Sequence, residues 1–575
     1  MTKNFGSFLG EILHIVTTLE IVLAYFYALE LFKPSYTSLF HGVIHTDVYS
    51  LGLLNQGFYS LILLLITSLA LVLCSCETGG FKSVKPSKLA CYVLVALTLA
   101  NLTLLLYWVA YMWNPELLLG YGFKLCTTIS DIDAGLFRIY TPLYPPLLLA
   151  TLYAWLLLPI RRALKGRVRL KIRCNRVLNL NAVGDNRSLN DIYAKKLGLT
   201  SVLLLSIVLP IIPYLPSINP SFKPVSVDIR YYSAWLSNML ETDCWSAVKY
   251  AFYGVENGNR PLYLLMLYFL TSLGISRDVV LNFEALLISP FFALAIYYTA
   301  KRLSGSGIYA VSASLAGLLG FNMTVGMFAG LYAAWIALIP FYICIMSTLS
   351  LRESRWALAG SILTSTALLY IHPWTWCILM AILTLHLIIQ TLKSVEKGGK
   401  LKVDKQLLAV LASNISMDSL KTATSPYHGG LTCSIDILTK GKYFEIYVPF
   451  GFEYLLRLPQ NLYRLSTTYM CGLFYNPFHM LLAFIGVLSF LNKKDEYSKL
   501  ILLWIATISA IFPFGSLAFQ SHLLFAMPFP ILIAEGLWAL SRLLARFDSR
   551  LPRLFIIFFI VSSLTYTVRA LCNLI

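Results

Sequence analysis

Apolar runs of roughly 17–25 residues recur along the whole chain, separated by polar or basic stretches, and each is long enough to cross a hydrocarbon layer of about 30 Å as a helix. The runs do not alternate residue by residue, which argues against the strands of a barrel, and lipid offers no partner for unpaired backbone. The pattern predicts helices near 9–32, 57–76, 89–113, 142–160, 197–216, 279–300, 306–321, 327–349, 355–372, 374–392, 474–491, 498–516, 522–544 and 553–571. The expected fold is therefore all-α, a polytopic transmembrane helical protein of about 14–15 helices. The first run, Phe8 to Leu31, is long and lacks a small-residue cleavage site, so a cleaved signal peptide is not expected.

Four segments are less regular. The residues from Gln406 to Ser419 are short and polar, yet sidedness demands one crossing between 393 and 474, and this is the best candidate for it. Pro261 to Gly274 is too short to span and fits an interfacial helix, and Tyr232–Met239 and Ser246–Tyr253 read as short amphipathic helices on the bilayer surface.

Composition agrees. Of 575 residues, 58% are hydrophobic and 13% charged, against about 25% charged in soluble chains. The net charge is +18. Residues 161–196 hold eleven Lys and Arg against two Asp, half of that surplus. Basic loops stay on the cytoplasmic side, which already accounts for this segment, so no nucleic acid is expected as a partner. Further basic turns fall at Lys82–Lys88, Lys301-Arg302, Arg352–Arg355, Lys393–Lys405, Lys493-Lys494 and Arg542–Arg553. Their alternation places the N-terminus and loop 161–196 in the cytoplasm and loop 217–260 outside a cell (plasma) membrane. Two regions are expected: 1–196, four helices ending in the basic loop, and 197–575, which carries most of the polar residues of the outer face.

The outer loop holds Asp228, Glu241, Asp243 and Glu256, with Arg230, Lys249 and Arg260, and aromatic residues such as Tyr231 and Tyr232 between them. Aromatic side chains there are first an interface belt, and each Arg is first a headgroup anchor. Asp228 is different. A carboxylate about a dozen residues past a helix end, flanked by apolar and aromatic side chains, is partly desolvated and suited to take a proton from a hydroxyl. Asp131 and Asp133 have metal-ligand spacing but no further ligand nearby, and read as a solvated loop. Cys74-Ser-Cys76 is a lone pair without zinc-site spacing.

The stretch VDIRYYSAWLSNML, followed by GNRPLYLLMLYFLTSLGISRDVV, resembles the first outer loop of GT-C superfamily glycosyltransferases. GMFAGLYAAWIALI, YIHPWTW, TTYMCGLFYNPFHMLLAFIG and HLLFAMPFPILIAEGL are similar to segments of archaeal-type members, among them dolichyl-phosphate-mannose mannosyltransferase-like proteins. The likeness covers about 197–575, two thirds of the chain, and implies an archaeal-type plasma membrane enzyme. It implies a GT-C-like core with interfacial helices in the first outer loop. The implied reaction is transfer of a sugar from a polyprenyl-phosphate carrier to an acceptor of unknown identity on the outer face, with inversion. Asp228 matches the essential acid of that loop, RPLYLLMLYFL its Pro-Leu segment, and Glu241-Thr-Asp243 an acidic pair that some members carry. The reading expects no cofactor; if a divalent cation were used, Glu241 and Asp243 would hold it. Arg230, Tyr231, Arg260, His372, Gln520 and His522 are the expected substrate-binding residues. Many relatives hold an Arg near Gln520 and His522 that pairs with phosphate; here there is none, and Arg260, Arg230 or Arg464 would replace it. His372 has a plainer role open to it, a helix-break histidine packed on Trp374.

A multi-pass transporter or permease is the rival class, and a GT-C-like protein without activity the third. Transport predicts ionisable residues at mid-membrane and matching halves. The helix interiors hold Glu284 and Glu535 as the chief exceptions, and no matching halves are visible.

Overall fold

The computed structural model describes residues 86–113, 144–158, 189–254, 260–351, 353–398, 402–424, 451–465, 469, 476–493 and 495–574. The helices expected at 9–32 and 57–76, Asp131, Asp133, Cys74, Cys76, and most of the basic loop 161–196 lie outside the described residues. What is described is helical, with no strand among the described residues.

Helix α1 is Pro86–Trp113, α2 Tyr144–Tyr153 and α3 Leu189–Val208, which tightens into a 3₁₀ segment, Leu209–Tyr214. The loop after it leads into α4 (Ile229–Leu240) and α5 (Cys244–Lys249), the latter ending in a π turn, then α6 (Pro261–Ser272) and α7 (Arg277–Asn282). The bundle continues as α8 (Glu284–Ser304), α9 (Gly307–Leu318), α10 (Phe321–Ala329), α11 (Tyr332–Leu349), α12 (Arg355–Ile371), α13 (Pro373–Gly398) and α14 (Lys405–Thr424). Two short helices, α15 (Glu453–Leu456) and α16 (Leu458–Leu465), precede α17 (Pro477–Asn492), α18 (Glu496–Ile511), α19 (Leu517–Phe525), α20 (Phe529–Ala545) and α21 (Leu551–Cys572). Among the described residues eight spans are long and apolar enough to cross a membrane, and α19 with α20 makes a ninth if counted as one broken span. The chain is an all-α, multi-pass membrane protein.

The turns follow local chemistry. Gly305 caps α8 in the left-handed region (φ 70°), and Ser306 then accepts the Tyr309 N–H to start α9. Asn476 and Asp495 cap α17 and α18 in the same way. Two expected boundaries move. The helices predicted at 306–321 and 327–349 become one span over Gly307–Ala329 and a second over Tyr332–Leu349, because Gly330 (φ 76°) breaks the chain between them. The helix predicted at 522–544 is split into α19 and α20, bent by 54°; Pro528 and Pro530 stand at the break, where a ring replaces the N–H that would continue the ladder.

Packing is tightest between α17 and α20. A Cβ on Gly486 would fall 2.0 Å from the Leu532 carbonyl oxygen, and one on Gly536 1.9 Å from that of Leu482, so only glycine lets the two backbones approach. Glu535 lies beside this seam, 2% exposed, accepting from Lys493 Nζ at 2.7 Å and Ser489 Oγ at 2.6 Å. Trp504 donates to the Ala526 carbonyl at 2.9 Å and stacks on Phe341 in the core. Helix α1 lies along α21 and turns Leu99, Leu106 and Val109 outward, as a lipid-facing helix does. The basic turns pair among themselves: Arg302 with Glu353, and Lys493 with Glu535, while the charge of Lys393 reaches Glu496. In α8, Lys301 and Arg302 mark one end and Glu284 the other, and the Asp228 loop sits at the Glu284 end.

Candidate functional site

Asp228 occupies the N-cap position of α4, with φ −86° and ψ −6°, and makes no capping bond with its carboxylate. The loop before it is pinned from behind. Val227 N–H donates to the Phe328 carbonyl at 3.1 Å. Gly330 abuts the same loop so closely that a Cβ there would lie 2.0 Å from Ser226 Oγ and 3.0 Å from Asp228 Cβ. The glycine that ends α10 thus sets the position of the acid.

A cavity of about 160 Å³ opens in front of Asp228, lined by Asp228, Tyr231, Tyr232, Trp235 and Arg260. Arg260 precedes α6, and its Nη1 donates to the Tyr232 hydroxyl at 2.8 Å. Its guanidinium lies 5.8 Å from the Tyr232 ring centre and 5.9 Å from that of Trp235. Behind it, the Tyr263 ring meets Tyr232 edge-on and its hydroxyl donates to Glu284 Oε2 at 2.8 Å. Glu284, expected as an isolated acid inside a helix, is therefore the buried anchor of the aromatic wall of this site.

Two histidines join from the bundle. His372 sits in extended conformation (φ −155°, ψ 94°) between α12 and α13, where Pro373 forces the break. Its Nδ1 accepts the Thr375 N–H at 3.3 Å and shares a 2.7 Å hydrogen bond with the Thr375 hydroxyl, which assigns the ring proton to Nε2. The rings of His372 and His522 stand 5.1 Å apart, and Trp374 closes on His522 at 5.0 Å. His522 Nδ1 is buried with no hydrogen-bond partner among the described residues. The charge of Arg260 reaches both rings.

Other expected residues have different employment. Gln520 is fully buried, and its Nε2 donates to the Phe512 carbonyl at 2.8 Å, which fixes the turn after α18. Arg230 is exposed, donates to the Tyr231 hydroxyl at 3.1 Å, and lines a second cavity across α4 instead. Glu241 caps the C-terminus of α4, exposed. Asp243 caps the N-terminus of α5, accepting from the N–H groups of Trp245 and Ser246 and from the Ser246 hydroxyl. The Ser246 hydroxyl, then the backbone N–H groups, hold its carboxyl below the usual carboxylate range. No cluster of three metal-ligating side chains occurs among the described residues.

Lys421 is the contributor that the sequence did not disclose. It lies 2% exposed on the buried face of α14, donates to the Leu369 carbonyl at 3.2 Å, and its Nζ stands 5.5 Å from the Tyr370 ring centre. Its charge acts on His372. Asn414 and Asp418 share that face, and Asn414 ties α14 to α12 and α13 through Ser365 and Trp376. Ionisable groups buried in helices therefore extend beyond Glu284 and Glu535 to Asp418 and Lys421. The segment expected to cross at 406–419 is part of helix α14, which is not among the described spans long and apolar enough to cross a membrane, and α14 also carries Lys421. Tyr469 is a second addition: burial, and then the charge of Asp228, push its hydroxyl above the ordinary phenol range. The cavity itself provides one carboxylate and one cation, Asp228 and Arg260, while His372, His522 and Lys421 do not line it and act on it through charge. The sequence matches no family model, and no curated protein is significantly similar to it.

Proposed function

We propose that this chain is a membrane glycosyltransferase of the GT-C type, taking a sugar from a polyprenyl-phosphate carrier at the membrane surface. The observation that carries the reading is the shared cavity of Asp228 and Arg260, with Lys421, His372 and His522 in the same electrostatic neighbourhood. A carboxylate and a cation side by side suit a reaction in which one substrate loses a proton and the other leaves as an anion. Asp228 takes the proton of the acceptor hydroxyl as its oxygen bonds to the anomeric carbon. The bond from that carbon to the carrier phosphate oxygen breaks, and its electron pair stays on the phosphate. Arg260 stabilises the growing charge, and Lys421 and His372 Nε2–H add to the field where the phosphate would lie. One step with one base inverts the anomeric centre. Trp235, Tyr231 and Tyr232 supply apolar and aromatic surface for a sugar face.

The test is transfer from radiolabelled polyprenyl-phosphate sugars by membranes containing wild type or Asp228→Asn. Loss of a general base lowers the rate by about 10²–10⁴-fold. Equal transfer by the two removes Asp228 from the chemistry. Transport is the second reading, favoured by the 54° break between α19 and α20 and by the buried Asp418 and Lys421. Solute uptake by proteoliposomes, abolished by Lys421→Met in a protein that transfers no sugar, would establish it.

A further inference from the structure

A second cavity, of about 170 Å³, lies on the opposite side of α4, between that helix and α7. The two helices are held together by Arg277 Nη1, which donates to Ser237 Oγ, and Arg277 also pairs with Asp278 at 3.2 Å. The cavity's buried lining is Ile229 and Leu281 with the Asn282 amide, and its outer lining includes Arg230, Ser233 and Asp278. Asn282 is 2% exposed, and its Oδ1 finds no hydrogen-bond partner among the described residues. A carboxamide turns end for end about its last bond, so this side chain offers the cavity a donor or an acceptor.

An aliphatic floor with one amide, under a rim that mixes carboxylate, hydroxyl and guanidinium, fits a sugar ring better than an ion. The ring's C–H face lies on Ile229 and Leu281, and its hydroxyls both donate to Asp278 and accept from Arg230. A lone anion would meet Asp278, and a lone cation Arg230. The position adds to the chemistry. Asp228 lines one cavity and Ile229 the other, on opposite sides of the first turn of a helix about 10–12 Å across with its side chains. A glycan seated between α4 and α7 could extend its next sugar around the first turn of α4 to the carboxylate of Asp228. We propose that the α4–α7 cavity binds carbohydrate, as the subsite for a glycan acceptor. The role as acceptor site rests on the glycosyltransferase reading; the binding of sugar does not.

Saturation-transfer NMR on the full chain in lipid nanodiscs tests this, with maltotriose, mannotriose and glycerol 3-phosphate as probes. Wild type shows saturation of at least one trisaccharide. Asp278→Ala, at a side chain 72% exposed, weakens that binding about tenfold, the effect of one charge-assisted hydrogen bond. Ser233→Phe fills the cavity and abolishes it, while Asp228→Asn leaves it as in wild type. The proposal is overturned if neither trisaccharide gives a signal, if Asp278→Ala binds like wild type, or if glycerol 3-phosphate is saturated in place of the sugars, which marks a lipid-headgroup site. In the transfer assay Asp278→Ala raises the acceptor KM about tenfold at unchanged kcat. If wild type transfers no sugar, the proposed function falls, and the NMR result still decides whether this cavity holds carbohydrate.

Discussion

At the scale of single residues, the site depends on what stands behind Asp228 as much as on the acid itself. Gly330 is the clearest case. Its φ of 76° strains any side chain, and the 2.0 Å approach to Ser226 Oγ leaves no room for one without a shift. Gly330→Ala therefore displaces the 226–228 loop at a cost of at least about 1 kcal/mol. Transfer is expected to drop sharply while far-UV circular dichroism and detergent-gel mobility stay as in wild type. Full activity in Gly330→Ala would mean that the loop need not lie where the structure puts it. Lys421 makes a separate prediction. Met keeps the apolar stem and removes the charge, so Lys421→Met should weaken binding of polyprenyl monophosphate severalfold, through loss of a buried charge rather than of a contact. Native mass spectrometry with that lipid reads the loss, and unchanged affinity would place Lys421 outside the phosphate site.

At the scale of elements, α4 and α5 divide their work. Helix α4 presents Asp228 to the cavity at its N-terminus, whereas α5 is organised by its cap. Asp243 spends its carboxylate on Trp245, Ser246 and the Ser246 hydroxyl. Asp243→Ala should fray the first turn of α5 and leave transfer nearly unchanged; a large, metal-dependent loss of transfer would restore Asp243 as a ligand. The sign with pH follows from its depressed value in the folded state. The cap contributes fully above the ordinary Asp range and is lost as pH falls through the lower, folded value. Most helices were legible from apolar run length alone, including α6 as a short piece beside the outer loop. Three features were not. The break at Gly330 and the bend before Pro528 need backbone geometry that hydropathy does not carry, although Gly and the paired Pro marked both places. Helix α14 inverts the usual pattern: Asn414, Asp418 and Lys421 recur at helical spacing on its buried face, while Leu408, Ile415 and Leu420 are exposed. Read for apolar run length, this segment is a short, polar crossing, and that reading does not put Lys421 on a buried face. The likeness to a GT-C outer loop did single out Asp228, Arg260, His372 and His522, which the fold gathers together. It also singled out Gln520 and Arg230, which the fold employs elsewhere.

At the scale of the whole molecule, the arrangement of charge determines where the chemistry can occur. The basic turns gather toward one end of the helices, and Asp228, Gly330, His372 and Lys421 gather at the other, as an up-and-down bundle requires. Basic loops favour the cytoplasm because their translocation is opposed, so the Asp228 end is expected outside. Cys244 tests that orientation without a new cysteine, since it is exposed and free at the start of α5, on the same loop as Asp228. A membrane-impermeant maleimide should label Cys244 in intact cells, read by mass spectrometry of the peptide that carries it. A cysteine placed at Lys402, an exposed position before α14, should label only after permeabilisation. The reverse pattern would put the Asp228 cavity in the cytoplasm, where nucleotide sugars are abundant and a lipid carrier on the far leaflet is out of reach. Sugar transfer at that face would then need a donor other than an outer-leaflet carrier, and the cation set of Arg260 and Lys421 would have to be explained by a soluble anion. The orientation of one cysteine thus decides which donors the cavity can meet at all.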